Sequence, residues 1–188
     1  MTKKYQNKYR IASTRLRTWD YGSNAAYFVT ICTKDRKHYF GEINDDKMNL
    51  SNIGKMAEKY WHEIPQHFPF VKLNAFVVMP NHIHGILIID KPVGVVETQN
   101  IASLRVQKNA PVSKNKFGLQ SQNLASIIRG YKIGVTKNAR KIIASYQWQP
   151  RYHDHIIRDG KSFERIHNYI LNNTRNWNDD KFRSVDNQ

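Results

Sequence analysis

Chemistry in this chain is most legible in the tripeptide His82-Ile83-His84. In extended backbone, alternate side chains point to the same face, so His82 and His84 project together and Ile83 projects to the other side. Two imidazoles on one face make half of a site for a borderline divalent ion. An added carboxylate or amide oxygen would suit magnesium or manganese chemistry on phosphates. The plainer alternative is a pair of surface histidines on a half-exposed strand. Context weighs against it, because the pair follows directly on Pro80-Asn81, inside an otherwise apolar hairpin of a basic protein.

A nucleophile is harder to place, since the chain holds ten tyrosines. In the segment from Leu124 to about Ile143, Leu124, Ile128, Tyr131, Val135, Asn138 and Ile142 recur at intervals of four and three, which places them on one stripe of a helix. Tyr131 and Asn138 are the polar members of that stripe. Tyr131 is then either a core aromatic with its hydroxyl satisfied or a reactive phenol. Gly130 and Gly134 each cost ~1 kcal/mol against alanine in a helix, which implies close backbone packing or a helix that bends.

These residues need a scaffold, and the rest of the chain supplies one. The run Ala26 to Thr33 is β-branched and aromatic and reads as a buried strand, with a partner expected around His38 to Ile43. Asn52 to His62 has helical spacing behind a capping candidate at Ser51. Residues 71 to 90 read as an antiparallel hairpin turning at Met79-Pro80-Asn81. Residues 91 to 120 have the composition of a loop or linker. After the helix that carries Tyr131, residues 148 to 158 read as a short extended segment and Phe163 to Asn172 as an amphipathic helix. This order suits an α+β fold, an antiparallel sheet with helices packed mainly on one face.

Length and charge bound the function. The chain has 188 residues, enough for one domain with a real core. Thirty Lys+Arg against fifteen Asp+Glu leave a net charge of +15, which points to a polyanionic partner. Hydrophobic residues at 40% exclude a disordered basic tail. The longest apolar stretch is too short and too interrupted to span a bilayer. The N-terminus lacks a secretory core, and Cys32 is alone, so neither a disulfide framework nor a thiolate metal site is expected. A cytoplasmic location is the default. Two stretches concentrate the cations: the acid-free arm through Arg17, and the acid-free segment from Arg129 to Arg151 with Tyr131, Tyr146 and Trp148 interleaved. Cations tracking phosphates and rings stacking on unpaired bases suit single-stranded DNA. A solvated helix face with Trp148 in the core is the alternative.

The segments FVVMPNHIHGILI, AYFVTICTKDR with FGEI, SIIRGYKIGVTKNARK, and WQPRYHDHIIRD with YILNNTRNW, in this order over roughly residues 11 to 177, together resemble the REP-associated tyrosine transposases. These belong with the single-strand tyrosine transposases in the superfamily of nucleases named for a His-hydrophobic-His motif. The resemblance implies a ferredoxin-like core in which His82, His84 and a third polar ligand from a helix hold a divalent metal, Mg²⁺ or Mn²⁺. It implies a helix-borne tyrosine that attacks a phosphate of single-stranded or hairpin DNA, leaving a 5′-phosphotyrosine. A phenol with pKa ~10 is a poor nucleophile at neutral pH, so such a metal would have to supply much of the barrier reduction.

Carried onto this chain, Tyr131 becomes the expected nucleophile and Asn138 the third ligand. One departure stands out: in the related transposases these two lie one helical turn apart, and here they lie two turns apart. Either the geometry differs, or Asn138 is not the ligand, or the nucleophile has been lost; Tyr152 is the next phenol in line. Since the motif places the metal at His82 and His84, the second alternating pair, His153 and His155 around Asp154, is expected to be structural or to contact phosphate. The expected DNA contacts are Arg15, Arg17, Arg129, Lys132, Lys137, Arg140, Trp148, Arg151 and Tyr152. The expected organisation is a basic arm at 1–20, the transposase domain at 21–178 and a tail at 179–188, in a nucleoid-associated monomer or homodimer. The competing readings are a catalytically inactive hairpin binder and a metal phosphodiesterase that uses water.

Overall fold

The computed structural model describes residues 15–16, 18–92 and 122–183. Most of the basic arm, Arg17 and most of the 91–120 segment lie outside the described residues. Strand β1 (Ala25–Cys32) is flanked on one side by β5 (His82–Ile89), which pairs in turn with β4 (Val71–Met79). On its other side lies β6 (His153–Ile157). The sheet order β4-β5-β1-β6 is antiparallel throughout. With helices α1 (Asn52–His62), α3 (Leu124–Ala139) and α4 (Gly160–Leu171) between and after the strands, this is the α+β, ferredoxin-like arrangement expected from the sequence.

Alternation along the central strands divides the residues between two faces. Tyr27, Val29 and Ile31 of β1 and Ile83, Leu87 and Ile89 of β5 enter the larger core, where Ala57 and Trp61 of α1 and Ile127, Ile128, Tyr131 and Val135 of α3 cover them. The short α2 (Ile64–His67) adds Ile64 to the same layer. On the reverse face Ile86 of β5 packs with Ala75, Ile157, and Ile166 and Ile170 of α4. His82 and His84 share parity with Ile86, so the imidazoles lie on the α4 face and the sheet separates them from α1 and α3.

Local signals set the helix starts. The Ser51 hydroxyl accepts from the Gly54 amide at the start of α1, Asn123 and Ser126 form a capping box at α3, and the Asp159 carboxylate accepts from the Ser162 amide at α4. The hairpin of β4 and β5 turns on Pro80-Asn81, with Met79 opposite His82. One expected pairing fails. Residues 38–43 do not pair with β1, both edges of which are taken. Instead β2 (Gly41–Asn44) pairs with β3 (Lys47–Leu50) as a separate hairpin, turning through Asp45 and Asp46, both at positive φ. Gly134 faces the Tyr60 ring, with an added Cβ 3.1 Å from it, so this glycine serves close packing of α3 on α1.

Gly85 is the closest approach in the sheet that carries the histidines. A Cβ there would come 2.2 Å from the Trp61 ring, which is itself fully buried and stacked on Phe76. Gly85→Ala should therefore cost about 1–3 kcal/mol by overpacking. A urea midpoint equal to the wild type's would contradict this packing.

Candidate metal and nucleophile site

The site starts from cross-strand register. Thr30 of β1 is the partner of His84, and His153 of β6 is the partner of Thr30, so one row runs across the sheet on the α4 face. His82 and His84 are 0% and 1% exposed. The Nδ1 of His82 lies 2.8 Å from Asn81 Oδ1, an acceptor, so this nitrogen carries the proton. The Nδ1 of His84 lies 2.8 Å from the Thr30 hydroxyl, which can accept in the same sense. Asn81 is itself fixed: its Nδ2 donates to the carbonyls of Arg36 and Phe182, and its own carbonyl accepts from the amide and hydroxyl of Thr33. The two Nε2 atoms are left facing each other at 3.1 Å.

With the protons on Nδ1, two lone pairs converge in a buried place, an arrangement that a shared cation relieves. A 3.1 Å separation is what two imidazoles subtend, at slightly more than a right angle, around an ion ~2.1 Å from each. Electrostatics agree. Burial, followed by the neighbouring imidazole and nearby cations, holds His82 well below the usual imidazole range, and burial brings His84 down to about 3. Both are neutral at physiological pH, the form that ligates metal.

Helix α4 and the segment after it close the site. Tyr169, 39% exposed, brings its hydroxyl 3.3 Å from His84 Nε2 and sets its ring against His84 and Phe28. Burial raises the phenol above its usual range, and a hydrogen bond from Asn173 works in the opposite direction. Asn173 follows one turn later, is 1% exposed, and its Oδ1 is buried with no hydrogen-bond partner. That orphaned oxygen fits a metal ligand. Asp180 adds a carboxylate 3.8 Å from His82 Nε2, and its pKa is raised by burial. His82, His84 and Asp180 can bring one ligand atom each within 4.8 Å of one another. Phe182 packs against both imidazoles at 4.8 and 5.8 Å. A cavity of about 600 Å³, lined by Thr30, His84, His153, Tyr169, Asn173 and Asp180 among others, opens beside them.

Tyr131 and Asn138 are not in this site. The Tyr131 hydroxyl donates to the Ala57 carbonyl at 3.0 Å, its ring meets Trp61 edge-on, and burial pushes its pKa well up. It belongs to the core behind the sheet, because the α3 stripe that carries it packs on the face opposite the imidazoles. Asn138 lies on the same side, donating to Tyr60 and Gly134 and accepting from Lys141. Trp148 is half-buried among Phe40, Tyr146 and Tyr131 and donates to the Lys132 carbonyl, which makes it a core residue. Arg15 binds the Tyr152 hydroxyl and Asp154, which ties the end of the arm to β6. Arg129, Lys132, Lys137, Arg140, Arg151 and Tyr152 gather around one cavity on α3.

Comparison with known proteins adds the relationship. No family model matches the chain. An uncharacterized protein of Haemophilus influenzae is 38% identical over 96% of this chain and 98% of its own length. A second H. influenzae protein, described as "Putative REP-associated tyrosine transposase", is 26% identical over 82% of this chain and 72% of its own length. A solved structure of a REP-associated tyrosine transposase bound to a REP hairpin shares the fold. Its TM-score is 0.54 at 20% identity, covering 88% of this chain and 74% of that one. The chain thus resembles the REP-associated tyrosine transposases in sequence and shares their fold.

A tyrosine and an amide one helical turn apart, the spacing that the resemblance implies, do occur in the chain, as Tyr169 and Asn173 on and just beyond α4. The signal stood in YILNNTRNW, one of the segments that carried the resemblance. Asn81, Thr30 and Asp180 were also missed. Asn81 reads as turn chemistry and Thr30 as strand propensity, and only the three-dimensional register puts them behind the imidazoles. The boundary expected at 178/179 cuts through the site, since Trp177, Asp180 and Phe182 all lie against His82. Among the described residues no helix is long and apolar enough to cross a membrane.

Two buried neutral imidazoles have a consequence for stability. Their folded pKa values lie below the unfolded 6.5, so the unfolded chain takes up protons first as pH falls. The stabilisation is intact above pH 6.5 and is lost on the way down toward pH 3, by up to about 1.4 kcal/mol per pH unit for each imidazole. In EDTA, denaturant titrations from pH 7 to 4 should show this slope, and His84→Gln should flatten it. An unchanged slope in that variant would contradict the assignment.

Proposed function

We propose that the protein is a DNA strand transferase and endonuclease acting on single-stranded, hairpin-forming DNA, with Tyr169 as its nucleophile. The observation that carries the reading is the Tyr169 hydroxyl, 3.3 Å from His84 Nε2 and one turn before the unpaired Oδ1 of Asn173. Hairpin DNA is the ligand of the solved relative, and the net charge of +15 suits a nucleic acid.

His82, His84 and Asn173 would hold a divalent cation, Mg²⁺ or Mn²⁺, with Asp180 within reach, and such an ion supplies polarisation of the scissile phosphate and neutralisation of its developing charge. The chain's own residues do the rest. Asn81 and Thr30 orient the imidazoles, and the Asn81 Oδ1 sets the tautomer of His82. Asn173 hydrogen-bonds the phenol and favours its ionised form, while burial works against ionisation. Tyr169 is therefore positioned before it is activated. Its oxygen attacks phosphorus, the bond from phosphorus to the 3′ oxygen breaks, and the products are a 5′-phosphotyrosine and a free 3′-hydroxyl.

With a hairpin oligonucleotide and Mn²⁺, Tyr169→Phe should abolish the covalent protein–DNA adduct and leave hairpin affinity within about twofold. Tyr131→Phe should retain the adduct. Adduct formation by Tyr169→Phe would remove Tyr169 from the mechanism. Cleavage without any adduct in the wild type would favour a water nucleophile, and tight binding with neither would favour an inactive hairpin binder.

A further inference from the structure

Outside the imidazole site, the outer face of α3 carries a cavity of about 520 Å³ with an unusual lining. Five of its residues are basic and none is acidic, Arg129, Lys132, Arg140 and Arg151 among them. Its floor is apolar: Ile128 is buried, and Ile133 is 61% exposed in the midst of the cations. An isolated surface isoleucine needs no explanation. One set in a ring of cations over a concave apolar floor matches a ligand with a flat apolar body and an anionic edge.

The cavity is not isolated from the imidazoles. A smaller one of about 250 Å³ shares Arg151 and Tyr152 with it, and shares Thr30, His153 and Phe182 with the cavity beside His84. Through these shared walls the three cavities follow one another around the β6 side of the sheet. At its junction the backbone is unusual. Arg151 sits at φ 67°, a left-handed conformation rare for a residue with a side chain. Lys132 fixes that turn by donating to the carbonyls of Gln149 (2.8 Å) and Arg151 (3.0 Å). Burial lowers the Lys132 pKa to about 8, so at neutral pH it remains largely a cationic donor in this clip. The turn places Arg151 in the walls of both adjoining cavities.

We propose that these adjoining cavities carry the unpaired strand flanking the scissile phosphate from the imidazole face to α3, where one base is extruded onto Ile133 beside Ala125 and the flanking phosphates meet Arg129, Arg140 and Arg151. The proposal rests on the reading of the protein as a single-strand DNA enzyme and adds where its flank is read. An apolar surface ringed by cations selects an unpaired nucleotide over duplex, whose bases are stacked and unavailable. Lys132 acts here as a positioning residue, through the turn that holds Arg151.

The test uses the full chain and hairpin oligonucleotides with single-stranded flanks of zero to eight nucleotides on either side, each flank position replaced in turn by an abasic site. Binding is read by fluorescence anisotropy and adduct formation in parallel. For the wild type, one or two flank positions should lose fivefold or more in affinity when the base is removed. Ile133→Ser, and Ala125→Trp, which narrows the same cavity, should erase that position dependence and leave the flank-free hairpin affinity and the thermal midpoint unchanged. A flat abasic profile in a wild type that still forms its adduct would overturn this strand path alone, as would a profile that both variants preserve. Failure of the wild type to bind or form an adduct with any of these DNAs would overturn the underlying functional reading as well.

Discussion

Everything in the site depends on two imidazole lone pairs being made to face each other in a buried place. Strand alternation puts His82 and His84 on one side, but alternation alone leaves the rings free to rotate. Asn81, by accepting at Nδ1 of His82, and the Thr30 hydroxyl, hydrogen-bonded to Nδ1 of His84, remove that freedom and turn both Nε2 atoms inward to 3.1 Å. Burial then keeps both rings neutral. Such an arrangement is unfavourable in itself, and the surrounding core has to hold it. The close packing of Trp61 over Gly85, between the histidines and the apolar half of β5, is part of that support.

The sheet acts as a partition. Most of the helical layer, with the larger core, lies on one side and stabilises the fold. The candidate site lies on the other, under α4 and the residues that follow it. Helix α4 has a limited apolar stripe of Phe163, Ile166 and Ile170, which docks it on β4 and β5 and leaves Tyr169 beside His84. The division explains why residues adjacent in the sheet have separate roles. Ile83 is packed among α1 and α3, whereas its two neighbours in sequence meet Tyr169, Asp180 and Phe182.

Much of this was legible in the sequence. The helix at Asn52–His62 with its Ser51 cap, the hairpin on Pro80-Asn81 and the projection of the two histidines all follow from local rules. These features are set by contacts within a few residues. The choice of tyrosine was not, because an apolar stripe shows that a helix is buried without showing which face of the sheet buries it. Tyr131 fitted the stripe of α3, and that fit is the mark of a core residue. Tyr169, the proposed nucleophile, lies at the edge of the α4 stripe and is partly exposed. The pairing of residues 38–43 failed for a related reason: strand propensity does not name a partner, and β1 had already found two.

Electron spin echo spectroscopy of the Mn²⁺-loaded protein tests the convergence of the imidazoles most directly. The account predicts modulation from two imidazole nitrogens at one ion, reduced to one nitrogen in either His82→Ala or His84→Ala. A bound ion showing no histidine nitrogen, or a spectrum unaffected by both substitutions, would contradict it.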